Sequence, residues 1–480
     1  MTTARQSEAV TASPSGPAWY RRSDWLLFIG GAAFAVAIIG YVTFVVTHPA
    51  SRWMQAVDLR VYRDGGLIVR HVRPFYRAHR TAPLYQWPGF EDLKFTYTPS
   101  AAIVFTAGTL VSFWTLMKIS VAINILALLA TIWMTFGALG YRRGAARLGA
   151  TLLLAAPLFW TEPVQRVLFL GQVELVLMAL IIWDQVQPDR RWWKGAGIGL
   201  AAGIDLIPLI YLPYLVLTRR FRQAAMAAGT FVLTVLIGFI VLPADSRRGW
   251  LDGLIYHGSR TGFVGWEGNQ SLQGIITRLS GSVAGAQHIW LAAAAVTGVL
   301  GVVAAALIDR AGHRMVGLLT CALTSLLISP ISWDHHWVWI VPGTVVAVVY
   351  AVRARRLAVR VALGGLAAVL VLLFGAWPGS LWGNPDDLGG FSKGLIWAPP
   401  NTSPGTYYKL GDRPWYAEYH WHGLQLLTGN LYILSGMALF VLLLVLAIGP
   451  ARAALAGRAG RGGRAGRIRP ATAAPAPPPG

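Results

Sequence analysis

The sequence predicts an all-α polytopic membrane protein, and three observations carry that reading. Of its 480 residues 55% are hydrophobic and only 13% are charged, and the mean hydropathy is +0.52. Apolar runs recur from Trp25 to the C-terminal tail, most of them near the ~20 residues that cross a bilayer at about 1.5 Å per residue. Arginines gather at the ends of those runs rather than along them, as the positive-inside rule requires of a multi-pass protein. The expected architecture is a helical bundle of about 12 transmembrane helices with a long first extracytoplasmic loop. A net charge of +21 would point to nucleic acid in a soluble protein. Here cytoplasmic anchoring accounts for the arginines, and no nucleic-acid partner is expected. Cys321 is the single cysteine and lies in an apolar run, which excludes a disulfide framework and a cysteine metal site.

The first segment, residues 1–22, is polar and ends in Arg21-Arg22, so it reads as a disordered cytoplasmic tail without the pattern of a signal peptide. A span over 25–46 then delivers the stretch Met54 to Gly66 to the outer boundary. There Asp58 is surrounded by Arg60, Tyr62, Arg63 and the Gly65-Gly66 pair. The loop continues to Tyr97 with mixed aromatic and basic residues, among them Trp53, Phe75, Tyr76, Tyr85, Trp87 and Phe90. That mixture fits amphipathic helices lying in the interface. Apolar runs follow at 100–113, 116–140, 147–161, 170–186 and 195–218, then at 225–242, 288–308, 313–331, 337–352, 359–377 and 427–448. Residues 23–450 therefore form one membrane domain, and 451–480 form a basic, Ala/Pro-rich, disordered cytoplasmic tail near anionic lipid.

The charges of the first half conflict with a full count. Twelve spans leave Arg142, Arg143, Arg190, Arg191 and Lys194 outside, against the positive-inside rule. Removing 100–113 and part of 195–218 from the spans repairs the charges and leaves about ten. Twelve is the working count. Either version puts 49–97, 243–287, the Asp334–His336 turn and 378–424 on one outer face.

Candidate chemistry gathers on that face. A lone acid such as Asp58 is as often a solvated loop residue as a functional one. The turn Ser329 to Trp337 carries Trp333, Asp334, His335 and His336; tryptophan alone would be interfacial anchoring, but ionisable groups at membrane depth are costly and usually functional. A metal site is set aside, because adjacent histidines project differently from a helix and no second histidine motif has ligand spacing. The loop around Asn269, Gln270 and Ser271 offers amides and a hydroxyl to a sugar, or merely caps a helix. Gln165-Arg166 and Gly171-Gln172-Val173-Glu174 flank another turn, which is otherwise a polar connection. Asp205, before Pro208, reads as a buried carboxylate.

Taken in order, Asp58 with Tyr62 and Gly65-Gly66, Tyr97-Thr98-Pro99, Gly171-Gln172-Val173, Asn269-Gln270-Ser271-Leu272 and Ser329 to Trp337 resemble the polyprenyl-phosphate-mannose-dependent mannosyltransferases of glycosyltransferase family 87. The resemblance spans roughly residues 25–450. It implies the GT-C membrane fold, a polyprenyl-phosphate-mannose donor and a glycolipid acceptor of the phosphatidylinositol mannoside class. It also implies an α-1,2 linkage made on the periplasmic face of the cytoplasmic membrane, and no cofactor or metal. Relatives often carry Lys where Asp205 stands, so a donor-phosphate role does not carry over to that position.

Donor and product then differ in anomeric configuration, and inversion by direct displacement needs one base. Asp58 is the candidate, with His335, His336 and Arg166 at the leaving phosphate. Tyr62, Gln172, Glu174, Asn269, Gln270, Trp333 and Asp334 are expected to line the substrates; the aromatic loop 378–424 either stacks on sugar faces or simply anchors in the interface. Membrane lipid is the other expected partner, and no obligate protein partner is evident. A lipid or solute transporter would show internal repeats and charges at the midplane. No repeat is visible and the polar groups favour one face. A structural scaffold would have no need of Asp58.

Overall fold

A computed structural model describes residues 23–47, 54–70, 94–256, 260, 262–377, 394–398, 407–410 and 413–465. Residues 1–22, the 466–480 part of the expected C-terminal tail, the aromatic residues Trp53, Phe75, Tyr76, Tyr85, Trp87 and Phe90, and most of the loop 378–424 lie outside the described residues. The described residues are helical, with one two-stranded antiparallel hairpin among them, Tyr407–Leu410 paired with Arg413–Tyr416. Six helices are long and apolar enough to cross a membrane: α1 (Ser23–Thr47), α4 (Phe113–Ala138), α10 (Phe221–Val241), α12 (Val283–Arg310), a helix from Asp334 whose regular part is α14 (Ile340–Arg353), and α16 (Leu431–Ala465). The pair α6 (Glu162–Leu170) and α7 (Glu174–Val186), bent by 116°, makes a seventh candidate. Shorter apolar helices are α5 (Ala145–Phe159), the segment Ile207–Leu217 that ends in α9 (Tyr211–Leu217), α13 (Arg314–Ile328) and α15 (Leu357–Leu373). It is a multi-pass membrane protein. The expected twelve spans are not reached by length and composition among the described residues.

Two expected spans are shaped differently. Residues 99–109 form only α3 (Pro99–Phe105) and a four-residue 3₁₀ turn. Its end returns to α2 (Val57–Arg70), where Arg70 bonds Thr109 Oγ1 at 2.7 Å and Arg63 bonds the Val111 carbonyl at 3.2 Å. Residues 196–217 break at Asp205 into α8 (Ala196–Ile204) and the Ile207–Leu217 segment. The two ends of this hairpin are tied at one face, through Gly195 N to Asp184 at 2.8 Å and Arg220 to Asp309 at 2.7 Å. α8 packs closely on α10 because it carries glycine: a Cβ at Gly203 would come within 2.5 Å of Thr234, and one at Gly199 within 2.4 Å of the Ala227 carbonyl.

These ties define a basic face. Asp189 holds Lys194 at 2.8 Å and Arg314 at 3.2 Å, and Arg222 reaches the Arg191 carbonyl at 2.5 Å. Arg310 bonds the Leu217 carbonyl, and Arg353 bonds the Leu139 carbonyl at 2.6 Å. The loops carrying Arg142, Arg143, Arg190 and Arg191 therefore stand with those of Arg219, Arg310 and Arg353, and the charge conflict disappears. At the other ends of α7 and α14 stand Glu174, His335 and His336. The main core lies between, from Leu26 and Tyr41 through Phe159, Ile182 and Tyr214 to Val341. On the last helix the chain stays helical to Ala465, beyond the boundary expected at 450.

Candidate active site

The site is built on three tight local structures. Ala56 takes φ 53°, and its N–H donates to the Phe169 carbonyl at 3.0 Å, which turns the chain into α2. Asp58 thus falls in the first turn of α2, where the helix dipole favours a carboxylate. Gly171 closes α6 with φ +76°, and a Cβ there would lie 2.6 Å from Leu59 Cβ. Only glycine suits both the conformation and the approach of α2. Gln172, the next residue, is pinned by Asn124 Nδ2 on its carbonyl at 3.0 Å.

Gln172 organises the base. Its Oε1 accepts from the Tyr62 hydroxyl and from the Tyr97 hydroxyl at 3.1 Å, while the two phenols meet at 2.7 Å. Both phenols are pushed up by burial and neighbouring carboxylates, so they stay protonated. Gln172 also faces Asp58, whose carboxylate form it favours. Burial pushes the Asp58 carboxyl up to about 6, against the pull of His335, Gln172 and Arg166. That places it well for a base near neutral pH. Tyr97 precedes Thr98, which caps α3 through Ala101 N at 3.2 Å and, with Ser100, donates to the Gly203 carbonyl. That bond sets Asp205 two residues on, and burial raises its carboxyl too.

The histidine turn forms the facing side. The Asp334 carboxylate accepts from His335 N at 2.8 Å and from its Nδ1 at 3.1 Å, which aims Nε2 away. Arg166 Nε lies 3.2 Å from the same carboxylate, with its guanidinium over the rings of Trp397 and Phe169. His336 Nε2 lies 3.7 Å, and His335 Nε2 4.0 Å, from Glu174 Oε1. Among the described residues neither Glu174 oxygen has a hydrogen-bond partner, nor has His335 Nε2. Glu174, His335 and His336 present ligand atoms within 4.8 Å of one another, close enough to hold a divalent ion.

Asp58, Gln172, Asp205, Trp333, His335 and His336 all line one cavity of about 370 Å³, with Lys94, Tyr97 and Arg260 also on its wall. The sequence therefore placed much of the lining. Of the other expected substrate or phosphate residues, Glu174 lines a smaller adjoining space and five take supporting positions, with Asp334 holding His335. Arg166 stands behind Asp334, and Tyr62 behind Gln172. Asn269 bonds the Val264 and Pro330 carbonyls at 2.9 and 3.1 Å and accepts from Ser332 N at 2.9 Å. Gln270 bonds the Gly429 carbonyl at 2.8 Å and accepts from Ile433 N at 3.2 Å. Together they clamp the histidine turn to α16. Glu162 escaped sequence reading. Its carboxylate accepts from Trp397 Nε1 at 3.2 Å and from the Tyr432 hydroxyl at 3.0 Å, and it lies against Asp334.

Comparison with known proteins identifies the family. The profile of glycosyltransferase family 87 matches residues 95–330. A polyprenol-phosphate-mannose-dependent alpha-(1-2)-phosphatidylinositol pentamannoside mannosyltransferase of Mycobacterium tuberculosis is 33% identical over 397 residues, 82% of this chain and 83% of its own. The protein of the same name from Mycolicibacterium smegmatis is 33% identical over 353 residues, 74% and 78% of the two chains. A second M. tuberculosis relative, a phosphatidylinositol mannoside mannosyltransferase with the same donor in its name, is 30% identical over 369 residues, 73% and 82%. No solved structure matches the chain. With relatives that similar over most of its length, and a carboxylate facing a histidine turn across one cavity, the chain belongs to glycosyltransferase family 87.

Proposed function

We propose that this chain transfers mannose from polyprenyl-phosphate-mannose to a phosphatidylinositol mannoside, making an α-1,2 linkage at the outer face of the cytoplasmic membrane. The observation that carries the reading is the single cavity joining Asp58 to His335 and His336, in a chain whose relatives bear that activity in their names. The acceptor hydroxyl attacks the anomeric carbon from the Asp58 side. The oxygen–carbon bond forms as the bond from carbon to phosphate oxygen breaks, and configuration inverts. Asp58 takes the hydroxyl proton. Polyprenyl phosphate leaves with the bonding electrons, its charge met by His335 and His336, which Asp334 and Arg166 hold in place. Most of the rate then comes from holding two lipid head groups side by side.

The topology that goes with this has ten passes: α1, α4, α5, α7, α10, α12, α13, α14, α15 and α16. Residues 99–109 return on the site face and 196–217 return on the basic face. Both termini are then cytoplasmic and all the basic loops are inside, as the positive-inside rule requires.

The test is transfer by purified protein in lipid vesicles, with radiolabelled polyprenyl-phosphate-mannose and defined phosphatidylinositol mannosides. The expected product loses its new label to an α-1,2-specific mannosidase. Label found in no mannoside, or a β-linked product, contradicts the reading. Glu174, His335 and His336 also favour a second version in which a divalent ion takes the phosphate. Unchanged turnover in excess chelator is expected here, and loss restored by one divalent ion establishes the second version.

A further inference from the structure

Behind the histidine turn, outside the cavity wall, stands a carboxyl group that the transfer above does not use. Glu162 opens α6 and is fully buried. Its N–H donates to the Phe374 carbonyl at 2.6 Å, which fixes the start of the helix. Its Oε1 accepts from Trp397 Nε1 at 3.2 Å and its Oε2 from the Tyr432 hydroxyl at 3.0 Å. The Tyr432 ring is stacked on Phe374 with centroids 4.1 Å apart, so the phenol is held where it donates. The remaining neighbour is a second acid. The Glu162 carboxyl lies against that of Asp334, which is buried as well.

Two carboxyl groups in contact and out of water do not both ionise. One proton stays with the pair, and the other neighbours decide which acid keeps it. Asp334 has the cationic side chains: Arg166 Nε stands 3.2 Å from its Oδ2, and His335 Nδ1 3.1 Å from its Oδ1. The groups that donate to Glu162 are an indole and a phenol, both neutral. Asp334 Oδ2 is also short of a donor. Among the described residues it accepts no hydrogen bond, because Arg166 Nε is near it without being aligned to donate. A proton on Glu162 completes that oxygen.

The geometry points to Glu162 as a positioning residue for mannosyl transfer: it stays a neutral acid, donates to Asp334 Oδ2, and so keeps Asp334 the ionised carboxylate that aims His335 Nε2 into the cavity. The inference rests on the function proposed above for what His335 does there, which is to meet the leaving phosphate. Glu162 touches neither lipid and acts only through Asp334. Were the proton on Asp334 instead, the carboxylate that holds His335 Nδ1 would be lost, and with it the aim of the ring.

Infrared difference spectroscopy reads the proton directly. Wild type minus Glu162→Gln, at neutral pH, should show the carbonyl stretch of a protonated carboxyl, shifted in D2O. Loss of a carboxylate band pair in its place overturns the inference. Single-turnover transfer reads the consequence. Glu162→Met, similar in length but without a donor, should slow transfer by about 10–100-fold, the usual worth of a group that orients a working histidine from behind. Glu162→Gln keeps an N–H toward Asp334 and should recover most of that loss. In an Asp334→Asn background Glu162→Met should change the rate by less than about twofold, since the partner it acts through is gone. Equal losses from Glu162→Met in both backgrounds, or Glu162→Gln as slow as Glu162→Met, reduce Glu162 to packing and overturn the proposal. A Glu162→Gln variant that does not fold counts against it too, because the amide is the closest neutral substitute for the acid. Should Glu162→Met not fold, the infrared band decides alone. Wild type that transfers no mannose refutes the transferase reading and leaves the infrared band in place, so the two failures are told apart.

Discussion

Asp58 is one carboxylate among several that burial touches in this cavity, and its neighbours decide its use. The Asp58 carboxyl sits at about 6, because burial outweighs the stabilising pull of His335, Gln172 and Arg166. A base must be deprotonated to act, so the carboxylate form is lost as pH falls through about 6 and is full above it. The kcat/KM for mannosyl transfer should therefore fall about tenfold for each pH unit below that value and level off above it. A profile flat from pH 5 to 8 would remove Asp58 from the proton transfer. Asp58, the histidine pair and Gln172 were legible in the sequence because each is a polar group beside a long apolar run, where it needs a reason to be. Glu162 was not, since its partners Trp397 and Tyr432 lie 235 and 270 residues away. Nothing local marks it. Arg166 was legible as a functional cation, but its reach to Asp334, rather than to the cavity, depends on the bend between α6 and α7.

At the level of elements, the motif Asn269-Gln270-Ser271 shows where sequence reasoning sees a residue correctly and misses its work. Amides in an outer loop suit sugar hydroxyls, yet Asn269 spends its side chain on Val264, Pro330 and Ser332, and Ser271 caps α11 (Leu272–Ser280). The backbone completes the clamp, with Gln270 N on the Ser332 carbonyl at 2.8 Å and Asp334 N on the Gly268 carbonyl at 2.9 Å. Long-range pairing of two loops is invisible to a reading of local pattern. Asn269→Ala should strand buried partners at a cost of roughly 1–3 kcal/mol. It should lower the melting temperature and turnover together, with the acceptor KM little changed. A large rise in acceptor KM at unchanged stability would return Asn269 to direct sugar binding. The same limit applies to residues 99–109 and 196–217, whose apolar composition matches a span. What turns them back is a tertiary tie, Thr98 and Ser100 on Gly203, that no hydropathy window contains.

On the scale of the whole molecule, the two polar faces are separated along α7 and α14. The site lies at one end and the arginine belt at the other. The helical class and most span positions were legible, because hydropathy reports burial in lipid directly. The count was not, because half-length segments carry the same apolar signal as full ones. Sidedness is read with single cysteines after Cys321→Ala, since Cys321 is fully buried and should not react. Cysteines at the exposed positions Arg70 and Asp252 should label with an impermeant reagent in intact cells. Those at the exposed positions Arg143, Arg190 and Arg356 should label only after permeabilisation. Labelling of positions 143 and 190 from outside would restore the twelve-pass arrangement.

The proposed transfer turns on one proton acceptor. Asp58→Asn keeps the shape of the side chain and its contact with Gln172 while removing the base. Single-turnover transfer by the purified variant, with donor binding measured alongside, tests that role most directly. Transfer should slow by about 10²–10⁴-fold, the usual worth of a general base, with donor affinity and melting temperature close to wild type. Transfer within threefold of wild type would contradict the assignment, and with it the mechanism built around the cavity.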